Sequence, residues 1–319
     1  MDISTRFILF QILIIVPFAA GMAVKSLHRI PDLSGFTKKL IRVNLVIIEP
    51  IIALWSTWGL TLTQELIWLP LSGLFLVMSG MIFGKVFKRM LSLSEKKGAT
   101  FLISSTLANH GFTMGAFLCY LLVGEQGLGL AFLFLSYFMP FVFLVIFPYA
   151  RRKSTGKRFD LAFAFDFFLS LQNMPLFAII LSLFFLALGF ERPHISFPVD
   201  IFIIISMALY YFTLGLNFEL PAFFASGKEN AALAAIKFLL VPAVTLLILK
   251  ALHLNPAIET VIFVQSFMPA AIYSVVSSVL FDLDAGFASN LFVWNSLIFL
   301  AGILPVLFIF RGFFLGLLV

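Results

Sequence analysis

The chain has 319 residues, of which 62% are hydrophobic and only 11% charged, with a formal net charge of +6. Soluble domains carry about a quarter charged residues, so this composition excludes a cytosolic globule, and its high hydrophobicity excludes a disordered chain. What remains is a polytopic helical membrane protein, since the apolar runs are continuous and longer than the roughly ten-residue alternating strands of a β-barrel.

Taken in chain order, apolar segments lie at 7–24, 40–57, 66–87, 101–123, 129–149, 168–189, 199–218, 231–252, 258–280 and 286–310. Ten spans of roughly 20 residues leave no room for a separate soluble domain. The first segment ends in small residues (Ala19, Ala20, Gly21), as a signal peptide does. Its leading end is barely basic, with Arg6 offset by Asp2, and it is read as a helix. Glu49, beside Pro50, sits at the centre of the second segment. An ionised carboxylate there costs roughly 2.5–3.5 kcal/mol, so it faces a cavity or a partner, or is protonated. It is a candidate proton carrier, the other reading being a structural hydrogen bond. Trp55, Trp58 and Trp68 flank the next loop, where an aromatic belt belongs. Cys119, the one cysteine, lies in an apolar run and reads as a small buried hydrophobe.

With ten spans the loops alternate between two sides. One side holds seventeen Lys and Arg residues, running from Lys25, Arg29, Lys38, Lys39 and Arg42 through the Arg151–Arg158 cluster to Lys228 and Lys237. The other holds four: Arg6, Arg192, Lys250 and Arg311. The positive-inside rule then puts the basic side in the cytosol and both termini outside. Lys237 is expected to snorkel to the cytosolic surface. The net charge is thereby a mark of orientation, not of nucleic-acid binding.

The two halves of the chain match weakly at nearly constant spacing. Pro17 pairs with Pro175, 158 apart; Thr100 with Thr260, 160 apart; Gly129 with Gly286 and Pro148 with Pro305, each 157 apart. Tyr137 and Trp294 fall in the same register. Five spans per half is odd, so residues 1–155 and 156–319 form two repeats inserted in opposite senses, an arrangement of many secondary transporters. At the 160-residue offset Asn109, in S-S-T-L-A-N-H-G-F-T-M-G, aligns with Pro269, in V-Q-S-F-M-P-A-A-I-Y-S. Proline removes a backbone donor and glycine favours unwinding. Two helix breaks at matching positions are the best sequence pointer to a transport site, and the half-helix amino ends that follow suit a carboxylate.

These same stretches carry a family resemblance. A-N-H-G-F-T-M-G resembles the N-x-G-F-x-x-G motif of auxin efflux carriers. F-M-P-A-A-I-Y-S-V-V-S-S-V-L-F-D-L-D-A-G-F-A-S is similar to their second crossover, K-F-L-L-V-P at 237–242 to their eighth helix, and Q-N-M-P at 172–175 to the opening of their sixth. The resemblance covers essentially the whole chain. It implies an all-α fold of ten helices, two inverted five-helix repeats with helices 4 and 9 broken at a crossover, related to bile-acid sodium symporters. It also implies transport of small organic anions by elevator motion, with helices 3–5 and 8–10 as a core and helices 1–2 and 6–7 as a scaffold. In departure from the family pattern, Ala116 and Phe117 follow Gly115, and His110 occupies the variable position.

The candidate substrate residues are Asn109, His110 and Gly111 at the first break, Pro269 and Ala270 at the second, with Gln265 one turn earlier and Ser105 matching it at the repeat offset. Exposed backbone at the breaks, with the Asn109 amide, is expected to contact the substrate. Asn295 and Asn44 are weaker candidates. Glu49 and His110 are the candidate proton groups. Asp282, Asp284, Glu125 and Gln126 read as solvated turn residues. No metal-ligand spacing, P-loop or nucleophile constellation is present, so no enzyme, cofactor or metal is expected beyond a coupling proton or sodium ion. The expected protein is a secondary transporter of a small carboxylate in a bacterial inner membrane, proton-coupled or uncoupled, and a homodimer is the assembly considered. A sodium-coupled symporter and a channel or sensor on the same fold are the alternatives.

Overall fold

The computed structural model describes residues 3–27, 30–156, 169–217 and 226–309. Asp2, Arg29, Lys157, Arg158 and Arg311 lie outside them. Within these residues the helices are α1 (Ile3–Ser26), α2 (Gly35–Trp58) and α3 (Gln64–Met90), α4 (Glu95–Thr106), α5 (Gly115–Val123) and α6 (Glu125–Thr155). They continue with α7 (Met174–Ala187), α8 (Val199–Leu216), α9 (Gly227–Leu252), α10 (Pro256–Ser266), α11 (Ile272–Leu280) and α12 (Ala285–Ile309). Six of them, α2, α3, α6, α8, α9 and α12, are long and apolar enough to cross a membrane. Gln11–Ser26 and Met174–Ala187 are shorter apolar helices. Among the described residues β-structure is limited to one isolated antiparallel bridge, Ala108 to Ala270.

The chain divides into two compact units. The first gathers Met1–Gln64, Gly111–Leu133 and Leu169–Glu219. Its helices pack through small residues. A Cβ on Gly21 of α1 would sit 2.2 Å from the Phe212 carbonyl oxygen, and one on Gly215 of α8 would sit 2.1 Å from that of Phe18. α1 and α8 thus meet backbone to backbone, the contact that small residues permit between helices in lipid. The Ser182 hydroxyl of α7 donates to the Leu54 carbonyl of α2 at 3.0 Å.

The second unit gathers Glu65–His110, Phe134–Phe168 and Leu220–Val319. Here α3 comes close to α4: a Cβ on Gly80 would lie 2.3 Å from the Ser105 carbonyl oxygen. Phe238 of α9 stacks on Phe299 of α12 with ring centroids 6.2 Å apart. Ion pairs join Lys96 to Asp282 at 3.1 Å and Lys153 to Glu95 at 2.9 Å. Asp282 is a solvated turn residue as expected, its side chain 91% exposed, while Asp284 caps α12 by accepting from the Phe287 N–H. In both units large apolar side chains such as Ile15, Ile82, Phe184 and Leu247 remain exposed, a surface suited to lipid rather than water.

Among the described residues, four long helices contain one π turn each: Asn44–Ile48, Val142–Ile146, Ile236–Leu240 and Phe299–Ile303. Each turn is followed by one residue and then a proline: Pro50, Pro148, Pro242 and Pro305. A proline inside a helix has no N–H to give and its ring clashes with the carbonyl four residues back. The residue before each proline instead donates five residues back: Glu49 to Asn44, Phe147 to Val142, Val241 to Ile236 and Leu304 to Phe299. The widened turn lets the helix continue through the proline. The turns in α6 and α12 start 157 residues apart, the offset that pairs Pro148 with Pro305.

Candidate functional site

The fourth and ninth apolar segments are each two helices with an extended break. α4 is buried from Gly98 to its end and stops at Leu107, whose backbone is extended (φ −81, ψ 134). α5 begins at Gly115. α10 starts on an Asn255 cap with Pro256 at its first position. It stops before Phe267, and α11 begins at Ile272. Pro269 cannot donate to a preceding turn, so the helix cannot run through it without a wide turn of the kind found elsewhere in the chain.

The two breaks in the second unit satisfy each other. The Asn109 N–H donates to the Pro269 carbonyl at 2.7 Å, and the Ala271 N–H donates to the Leu107 carbonyl at 3.2 Å. Ala108 and Ala270 face each other as the antiparallel bridge between these bonds. In an apolar interior an unpaired backbone group costs several kcal/mol. The pairing is therefore what makes two adjacent breaks tolerable. It also alters an expectation: the Asn109 and Ala271 N–H groups are engaged within the protein rather than exposed.

Side chains complete the set. Asn295 Oδ1 of α12 accepts from the Ala270 N–H at 2.8 Å. Gln265 Nε2 donates to the His110 carbonyl at 3.2 Å. Lys237 Nζ of α9 donates to the Leu107 carbonyl at 2.9 Å. His110 Nδ1 shares a hydrogen with the Tyr137 hydroxyl at 2.7 Å. The edge of Phe134 packs against the same ring, with centroids 5.1 Å apart. These four polar residues are at most 3% exposed. Among the buried polar atoms of this unit that have no hydrogen-bond partner are His110 Nε2, Gln265 Oε1, Asn295 Nδ2 and Ser104 Oγ, with Asn230 Oδ1 and Ser296 Oγ besides. Buried polar groups are nearly always paired, so those unpartnered atoms that belong to residues bonded at the breaks are groups a polar ligand could satisfy.

Of the residues expected at the site, Asn109, His110, Gln265, Pro269, Ala270 and Asn295 come together here. Ser105 is in the same unit, but its hydroxyl donates back to the Phe101 carbonyl of its own helix at 2.8 Å. Gly111 begins the next stretch of the first unit, and a Cβ there would meet nothing within 4 Å. Glu49 also belongs to the first unit. Its carboxyl accepts the Tyr210 hydroxyl of α8 at 2.5 Å, and one turn earlier Asn44 Nδ2 donates to the Ser206 carbonyl at 3.1 Å. Two site residues escaped sequence reasoning. Lys237 does not snorkel to the surface but is 3% exposed at the crossover. Tyr137 drew notice only as the register mate of Trp294. Among the described residues no group of three or more His, Cys, Asp or Glu side chains could hold a metal ion.

These features define a class: a multi-pass, all-helical membrane protein with two half-helix pairs joined at their breaks around buried polar side chains. A family model described as membrane transport protein matches residues 9–308. The chain belongs to that family, which includes the auxin efflux carriers and whose members are transporters rather than enzymes. A comparison with curated proteins finds no match.

Proposed function

We propose that the protein is a secondary transporter that carries a small organic anion across a bacterial inner membrane by alternating access. The observation that carries this reading is the mutual pairing of two helix breaks amid buried, unpartnered side-chain atoms. Helix ends and breaks at membrane depth persist where they line a substrate path. In this reading the chain crosses the membrane ten times as two inverted repeats, 1–155 and 156–319, with both termini outside. Helices 3–5 and 8–10 carry the substrate against the remaining four in an elevator movement. The separate clustering of 65–110, 134–168 and 220–319 from 1–64 and 169–219 supports that division, while 111–133, from helices 4 and 5, cluster with the scaffold helices. Movement is uncoupled or proton-coupled, with Glu49 as the proton group.

The test is anion uptake into proteoliposomes. Asn109→Ala and Pro269→Ala are each expected to reduce uptake strongly. Wild-type rates in both would refute the site assignment. Replacing sodium by choline, at fixed pH and membrane potential, is expected to change nothing. A loss of uptake would instead establish sodium coupling.

A further inference from the structure

Lys237 lies in the π turn Ile236–Leu240 of α9, 3% exposed, with its Nζ on the Leu107 carbonyl at 2.9 Å. An ammonium has three donors. Among the described residues no carboxylate forms an ion pair with it. The one buried acidic residue among the described residues of this unit, Glu259, accepts the Leu254 N–H near the start of α10, six residues before Gln265. A buried cation without a counter-charge is costly, and this one sits beside side chains that also lack partners.

We propose that Lys237 supplies the fixed positive charge of the transport site and thereby selects an anion carrying a single negative charge. The proposal rests on reading the crossover as an anion site, and it names the charge class of the substrate. The residues bonded to the two breaks supply one cation and otherwise neutral groups. A carboxylate takes the remaining Lys237 donors together with Asn295 Nδ2. Gln265 Oε1 is an acceptor and takes a hydroxyl or N–H elsewhere on the substrate. A second carboxylate would meet that acceptor with no second cation to compensate it, in an interior where uncompensated charge is costly. The favoured substrate is thus a monocarboxylate bearing one hydrogen-bond donor.

The experiment is a thermal-shift titration of the purified protein in detergent at fixed pH. The probes are lactate, indoleacetate, the neutral indoleacetamide, and malonate. The wild type is expected to be stabilised by lactate or indoleacetate, and not by indoleacetamide or malonate. Lys237→Met should weaken the apparent Kd for the stabilising acid by roughly thirtyfold or more, the usual scale for losing one partner of a buried charge pair. Lys237→Arg should lose less, since the charge remains. The Met variant leaves the Leu107 carbonyl its bond from Ala271. Should it nevertheless aggregate, the wild-type comparisons of acid with amide and of one charge with two still decide. Equal affinity in Lys237→Met, or a stronger shift with malonate, overturns this proposal and leaves anion transport standing. Equal shifts with indoleacetate and indoleacetamide overturn the anion reading and this proposal with it.

Discussion

The two units handle buried polarity in different ways. In the first, polar side chains sit on helices that run through, and neighbouring helices answer them: Tyr210 donates to Glu49, Asn44 to the Ser206 carbonyl, Ser182 to the Leu54 carbonyl. Arg192 is held against Trp55 and paired with Glu125. In the second, the backbone itself is interrupted, and the two interruptions answer each other at Asn109–Pro269 and Leu107–Ala271. The first arrangement fixes helices at close range. The second uses up backbone groups and leaves side-chain atoms such as Gln265 Oε1 and Asn295 Nδ2 unpartnered. Both regions hold buried side-chain atoms without a partner, Asn44 Oδ1 and Ser206 Oγ in the first among them; the second sets them beside paired backbone breaks.

The largest expected effect comes from breaking the close packing. Gly215→Leu drives a side chain into the Phe18 backbone, where a Cβ alone would sit 2.1 Å from the carbonyl oxygen. Backbone cannot yield as a side chain does, so destabilisation should reach about 3 kcal/mol or more, seen as a sharp fall in Tm and yield. Next comes Asn295→Ala, which strips the Ala270 N–H of its acceptor. An orphaned buried donor costs about 1–3 kcal/mol, so Tm should fall moderately and uptake should fall with it. Retained uptake would detach Asn295 from the site. A third substitution separates stability from function. Gly111→Ala meets nothing within 4 Å, so Tm should hold, and a fall in uptake at unchanged Tm would put Gly111 on the substrate path. Glu49→Gln keeps an acceptor for the Tyr210 hydroxyl, so it too should leave Tm nearly unchanged while flattening the pH dependence of uptake. Unaltered pH dependence would remove Glu49 as the proton group.

The smallest effect belongs to the surface pair Glu95–Lys153. The Lys153 hydrogen bond, and then its charge, holds the Glu95 carboxyl below the usual carboxylate range. A depressed folded-state pKa adds stability above the ordinary carboxylate pKa, and that stability is lost as pH falls through the depressed value. Glu95→Gln should therefore lower Tm slightly at neutral pH and not at all in strong acid. The exposed position makes even the neutral-pH change small.

Much of this was legible from residue types. Asn109, His110 and Gly111 in one apolar run and Pro269 in another marked both breaks, because few residues interrupt a membrane helix and each does so by a known backbone defect. Lys237 was not legible. A lysine near the predicted cytosolic end of an apolar run reads as a snorkelling side chain, and nothing in the linear pattern brings it to the Leu107 carbonyl, 130 residues earlier. Tyr137 was hidden for the same reason, since its pairing with His110 depends on how α6 packs in the fold. The four π turns had a signal that went unread: each precedes a proline set inside a run too apolar to be a loop.

Those turns have a further consequence. An α-helix advances about 100° per residue, so one extra residue in a turn resets the azimuth of everything beyond it. The faces before and after Pro50, Pro148, Pro242 and Pro305 are out of phase, and a stripe of side chains drawn as a single line along any of these helices is broken there. Each proline acts as a phase slip, letting a single helix address one neighbour with its first half and a different neighbour with its second.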